Sequence, residues 1–245
     1  MICEDFIMLG KTVPEPQSDG RVFVCSAGYS AELRSLIRIY PLSRKSAPKR
    51  WSVNQVPLER NPKDSRPESW KLAGNREADS HVDINEVFTN RGRVHGMDTR
   101  DVLDDDRIWV SSIKEANERR LSLALIAPKA TPQVTYEQNL NSPESPQLKL
   151  FSDGLPPAEG AKRFPFMPRL SFNDDAGEHR LMLRDWGCYE RMRKAPGELD
   201  LNECLSLGPD SRLLIGNLNS HRTAWLVISV LNIGDAQLSL LEGVA

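Results

Sequence analysis

Five prolines, Pro132, Pro143, Pro146, Pro156 and Pro157, lie among Ser, Gln, Asn and Glu between Lys129 and Gly160. A stretch so poor in apolar side chains buries too little surface to offset the entropy of ordering it, and proline interrupts both helix and sheet. It therefore divides the 245-residue chain. The expected organisation is an N-terminal unit over 1–128, a Pro-rich linker over 129–162 and a C-terminal unit over 163–245.

Within each unit, short β-branched and aromatic runs alternate with turn residues. Phe6-Ile7-Met8-Leu9, Arg21 to Cys25, Leu36 to Tyr40 (closed by Pro41), Trp51 to Leu58, Arg107 to Val110 and Leu121 to Ile126 read as strands. In the second unit, Arg169 to Phe172 and Arg180 to Leu183 read as strands around the polar turn Asn173 to His179. Arg212 to Leu218 and Ala224 to Leu231 form the clearest hairpin. Helical segments are few. Ser30 caps a turn over 31–36, Ser112 a helix over 113–119 and Asp185 a helix over 186–194, and a short helix spans 201–206. The fold class is mainly β (α+β), with two small barrels or sandwiches, a Pro-rich linker and a few short helices.

No apolar run approaches the roughly 20 residues that span a bilayer. The start, Met1 to Phe6, has neither the basic opening nor the apolar core of a signal peptide. A cytoplasmic protein without membrane partners is expected. Cys3, Cys25, Cys188 and Cys204 form no Cys-x-x-Cys pair, and the four histidines lack ligand spacing, so reduced, mostly buried thiols are expected rather than zinc.

The net charge is −2. Between Arg34 and Lys71, however, ten basic residues face only Glu59, Asp64 and Glu68, a local excess of about seven positive charges. Tyr40, Trp51 and Trp70 lie in the same region. Its densest cluster is Arg60-Asn61-Pro62-Lys63-Asp64-Ser65-Arg66-Pro67-Glu68-Ser69-Trp70. In one reading Arg60, Lys63 and Arg66 contact phosphates and Trp70 stacks on a base. In the other, Arg66 pairs with Asp64 or Glu68 and fixes an ordered loop. Arg38, on the face of its strand opposite Ile37 and Ile39, and Tyr40 complete the candidate nucleic-acid site.

Several stretches, Ile7 to Val13, Val24 to Gly28, Leu36 to Leu42, Asp64 to Ser69, Asp185-Trp186 and Gly216 to Trp225, resemble a functionally uncharacterised bacterial family. Its members are described as dual OB-containing proteins, with two OB-like domains. The resemblance implies two OB-like β-barrels and, because such barrels often hold strands or oligomers, a nucleic-acid role. Many members carry cysteines in the second-unit turn, in a pattern resembling a metal site. Here that turn is Phe172 to His179 and has none, so no zinc site is carried over.

Other motifs have bland readings. Asp64…Glu68-x-x-Lys71 resembles nuclease carboxylates, but both acids share one Pro-broken loop. Asp104-Asp105-Asp106 lacks calcium-loop spacing and reads as a solvated turn. Cys25 reads as a strand-end thiol without an evident base, and His221-Arg222 as a hairpin tip. No catalytic residue, metal or cofactor is expected. Gln147-Leu148-Lys149-Leu150-Phe151 resembles the peptide by which bacterial replication and repair proteins dock on the β sliding clamp. Gln147, Leu148, Leu150 and Phe151 would make the contacts, and Gln237 to Leu241 is a near copy. The expected function is a non-catalytic nucleic-acid-binding accessory protein, in DNA transactions or defence against mobile elements, that holds single-stranded or duplex nucleic acid. The alternatives are an adaptor that docks the clamp or another protein partner, and a metal-dependent nuclease.

Overall fold

The computed structural model describes residues 1–16, 22–43, 47–74, 87–95, 98–139, 166–194 and 200–232. Its elements in chain order are β1 (Ile2–Lys11), β2 (Glu15–Pro16), β3 (Val22–Ser30), β4 (Ser35–Ser43), β5 (Ser52–Arg60), β6 (Ser69–Leu72) and β7 (Thr89–Arg93), then α1 (Asp98–Val102), β8 (Trp109–Val110), α2 (Ile113–Glu118), β9 (Leu123–Ile126) and β10 (Gln133–Gln138). The remainder are β11 (Phe166–Asp174), β12 (Gly177–Leu183), α3 (Trp186–Lys194), α4 (Leu201–Cys204), β13 (Ser211–Asn217) and β14 (Trp225–Asn232). The protein is mainly β, as the alternating runs predict.

The first sheet closes on itself. β1 pairs antiparallel with β3, β3 with β4, β4 in parallel with β6, β6 with β5, and β5 returns to β1. This makes a five-stranded barrel, with β2 added beside β3 and β7 beside β5. The second sheet runs β10-β11-β12-β14-β13-β9-β8, with a parallel step between β12 and β14.

Period-two alternation decides where the apolar side chains go. On β1, Phe6 and Met8 fill the first barrel with Val24, Ile37, Ile39, Val56 and Leu58. Their neighbours Ile7 and Leu9 point the other way. On β9, Ala124 and Ile126 join the second core around Leu170, Phe172, Tyr189, Leu213 and Ile215, whereas Leu123 and Leu125 point outward. The outward residues meet: Ile7, Leu9, Tyr29 and Leu36 pack with Leu123, Leu125, Leu214, Ile228 and Leu231 in a third buried cluster. A continuous apolar run such as Phe6-Ile7-Met8-Leu9 is thus a strand buried on both faces. At the seam Gly10 lies so close to Ser229 that an added Cβ would sit 2.5 Å from the Ser229 Cβ, so the backbones approach where no side chain intervenes.

The structure corrects several expectations. The division at residue 128 does not coincide with the division between the sheets, because β8 and β9 belong to the second. Composition marks a polar stretch, not the point where strands change partners. β10 also lies inside the expected linker; Val134 anchors it, 6% exposed, while its neighbours face solvent. β4 runs past Pro41 to Ser43. The β3–β4 register shifts between Val24 and Ser26, and at such a bulge proline deprives the ladder of nothing. Residues 31–34 form a hairpin turn, not a helical turn over 31–36, with Ser30 Oγ accepting from the Leu33 amide and Arg34 left-handed (φ 47°). The β11–β12 turn is tighter than Asn173 to His179: Asp174 Oδ1 accepts from the Ala176 and Gly177 amides, and Gly177 takes φ 142°. The caps at Ser112 and Asp185 form as expected, accepting from the amides of Glu115 and Cys188. No helix among the described residues is long and apolar enough to cross a membrane.

The shared cluster ties the two sheets into one folding unit. Urea unfolding followed by far-ultraviolet circular dichroism and by tryptophan fluorescence is expected to give one coincident transition. Leu125→Ala should lower its stability by about 2–5 kcal/mol without splitting it. Two separate transitions would contradict this.

Candidate functional site

The loop from Arg60 to Trp70, the densest cluster of charge in the sequence, faces the second sheet. Arg66 is 7% exposed. Its Nη2 and Nε hold Asp64 Oδ2 and Oδ1 at 2.6 and 2.9 Å, and its Nη1 donates to the Asn217 carbonyl of β13 at 2.6 Å. Ser69 Oγ adds a 2.7 Å bond to Asp64. Glu68 accepts from the Ser122 amide at 3.0 Å and from the Ser122 hydroxyl. Arg38, also buried, donates through Nη2 to the Ser122 carbonyl at 2.6 Å, and its backbone amide donates to the Glu68 carbonyl. The hairpin tip expected at His221-Arg222 docks here too: Arg222 Nη2 donates to Ser65 Oγ at 2.8 Å and Asn219 to the Lys63 carbonyl. Two guanidinium groups and two carboxylates thus close a neutral, hydrogen-bonded lock beside the apolar seam.

The expected phosphate-contacting set is therefore not one surface. Arg38 and Arg66 are spent inside the lock, which favours the ordered-loop reading of the sequence. Lys63 is exposed. Arg60 lies 3.8 Å over the Trp70 ring and donates to the Pro67 carbonyl. Tyr40 is half-buried, edge-on to Phe23 at 6.5 Å. The carboxylates of the nuclease-like spacing receive protein donors. Asp105 is not a solvated turn residue either: it accepts from Arg107 and from the Tyr29 hydroxyl, and burial together with that carboxylate pushes the Tyr29 phenol to about 12. Among the described residues no three His, Cys, Asp or Glu side chains are grouped to hold a metal. Gln147, Leu148, Leu150 and Phe151, the proposed clamp-docking peptide, and its near copy at Gln237 lie outside the described residues.

A different cluster of cations forms where the two units meet on another side. The C-terminal end of β1, the segment before β5, the end of β7, the start of α3 and the end of β14 enclose a cleft of about 340 Å³. Lys11, Lys49, Arg50, Arg93 and Arg191 line it, with Trp51 and Trp186 as its aromatic walls. Asp185, the one acid among the described lining residues, is already engaged: Oδ2 receives Arg50 Nη2 at 2.6 Å and Ser229 Oγ at 2.7 Å, and Oδ1 caps α3. A second cavity, about 410 Å³, continues along Asn54, Phe88 and Asn90 and shares Lys49, Arg50 and Arg93 with the first. The side chains of Lys49 and Arg93 are exposed and have no hydrogen-bond or ion-pair partner among the described residues. The cleft is thus cationic, and two of its charges are available to a ligand.

Sequence reasoning counted Lys49, Arg50 and Trp51 within the basic stretch but singled out none of them as a site. Arg93 and Arg191 lay outside that stretch. The signal was the local charge excess, of which Lys49 and Arg50 reach this cleft while Arg34, Arg60 and Lys63 are exposed elsewhere.

Residues 3–95, which carry β1 to β7, match the model of a family described as a domain of unknown function (DUF8758). No curated protein matches the chain.

The lock makes a prediction opposite to that of a solvent-facing loop. Arg66→Ala leaves Asp64 buried without its cation and should cost about 3–5 kcal/mol in chemical denaturation. Burial alone would raise the Asp64 carboxyl, but hydrogen bonds from the Arg66 side chain, Ser69 and the Arg66 amide outweigh it and hold Asp64 at about 2. Because the folded value is depressed, the stabilisation is complete above about pH 4 and disappears as pH falls through 2, a loss of roughly 2 kcal/mol. Stability measured between pH 4 and 2 should fall more steeply in the native protein than in Arg66→Ala.

Proposed function

We propose that this protein is a non-catalytic nucleic-acid-binding protein and that the cationic cleft between its two units is the binding surface. The observation that carries the reading is the gathering there of Lys11, Lys49, Arg50, Arg93 and Arg191, of which the Lys49 and Arg93 side chains are exposed and unpartnered among the described residues, in a chain whose net charge is only −2. Such a surface attracts a polyanion through counterion release, whatever the balance of the remaining residues.

The strand order supports a related structural reading, that both units are OB-type barrels. In the first, β1, β3, β4, β5 and β6 stand as strands one to five in the order 1-2-3-5-4-1, with the parallel step between the third and fifth. In the second, β9 and β10 act as two halves of a broken first strand, one pairing with β13 and the other with β11. The parallel step again joins the third and fifth strands, and α3 follows the third. Barrels of this type commonly serve as nucleic-acid platforms.

The test is oligonucleotide binding by fluorescence anisotropy across a salt series. Lys49→Glu with Arg93→Glu should weaken binding at least about tenfold and flatten the slope of log affinity against log salt by about one to two units. Both side chains are exposed, so the thermal midpoint should stay within about 1 °C of the native value. Arg60→Glu with Lys63→Glu, on the far loop, should change affinity less than threefold. Undiminished binding by the Lys49/Arg93 variant would remove the cleft from consideration.

A further inference from the structure

We infer that the cleft receives an unpaired nucleobase against Trp51, so that its ligand is a single strand and not a duplex. The inference rests on the nucleic-acid reading above and adds the strand type and the residue that selects it.

The first observation is the backbone of Trp51. Its φ is 64°, a left-handed conformation that glycine or asparagine adopts readily and a bulky residue adopts only under strain. It is pinned on both sides: its amide donates to the Met8 carbonyl at 2.6 Å and its carbonyl accepts from the Val94 amide at 2.9 Å. The indole is half-buried against the shared apolar cluster and also lines the cleft. A second strained residue, Ser206 with φ 50°, lines the same cavity. Strain of this kind persists where the surroundings impose it, and it gathers at ligand sites.

The second observation is what flanks the indole. Lys49 precedes Trp51 by two residues, and Arg93 stands opposite Ser52 in the β5–β7 register, beside the Val94 that holds the Trp51 carbonyl. Both are exposed cations whose side chains have no partners among the described residues. Two exposed cations and an indole in one cleft offer partners to the phosphates and to the base of a single strand, where a base is free to offer its face. In a duplex the faces are covered by stacking, and only groove edges and phosphates are presented. A concave cavity of about 340 Å³ cannot enter a groove, but it has room for one extruded nucleotide.

The experiment compares an oligodeoxythymidine strand with a blunt duplex of equal length, with intrinsic tryptophan fluorescence and anisotropy read together. The expected result is that the strand quenches fluorescence and binds at least tenfold more tightly than the duplex. Trp51→Leu, which keeps the contact with the seam but removes the π face, should lose about tenfold in affinity and leave only the quench that Trp186, the other indole of the cleft, can give. Trp51→Phe should recover most of the affinity. The comparison of strand with duplex needs no variant, so it decides the matter even if Trp51→Leu folds poorly. If the duplex binds as tightly as the strand, or Trp51→Leu binds the strand as tightly as the native protein, base stacking on Trp51 is overturned. Should Lys49→Glu with Arg93→Glu weaken both ligands equally in that case, the nucleic-acid reading still stands. If neither ligand binds the native protein, both readings fall.

Discussion

Everything in this molecule is arranged around strands that are apolar on both faces. β1 and β9 each send one set of side chains into their own core and the alternate set into a common seam, where Ile7 and Leu9 meet Leu123, Leu125 and Ile228. A small closed barrel has a limited interior, and a five-stranded one would be marginal alone. Sharing a wall lets each unit bury a second apolar layer, and it fixes their relation because close-packed interiors do not slide.

Apolar contact alone is not directional, and the rim of the seam is polar. On one side Arg38, Asp64, Arg66 and Glu68 meet Ser122 and Asn217. On another, Asp185 joins Arg50 of the first unit, Ser229 of β14 and the first turn of α3, and the Val13 amide donates to the Arg184 carbonyl. Buried charge of this sort contributes less to stability than its bond count suggests, because desolvation opposes it. What it adds is register: Arg66 Nη1 and Arg38 Nη2 each meet one carbonyl of the second unit, and an alternative docking would strand a buried charge.

The cleft follows from this construction. It exists because the closed barrel and the second sheet, meeting along a seam, leave a crevice at the edge, and the residues lining it come from the ends of elements and from the segments joining them. Its shape is set by the seam and the Asp185 hub, which holds Arg50 in place, whereas Lys49 and Arg93 reach into it from exposed positions. The Arg60 to Trp70 loop illustrates the converse: Arg66 is taken up by Asp64 and the Asn217 carbonyl, and Arg60 by the Pro67 carbonyl and the Trp70 ring.

Much of the β character was legible from local pattern. The runs at Phe6 to Leu9, Leu36 to Tyr40, Leu121 to Ile126 and the Arg212 to Leu231 hairpin follow from β-branched residues and alternation, and the caps at Ser112 and Asp185 from local hydrogen-bonding chemistry. The sequence by itself also determined that a basic excess lay between Arg34 and Lys71. Only tertiary structure decided which of those charges meet water. Burial of Arg38 and Arg66 depends on Ser122 and Asn217, far along the chain, and exposure of Lys49 beside Arg93 depends on strand pairing across residues 52–93. Likewise a doubly apolar strand declares that it has two buried faces but not what covers the second. Local pattern reports a residue's own preferences, whereas burial and charge pairing are properties of the neighbours that folding brings to it.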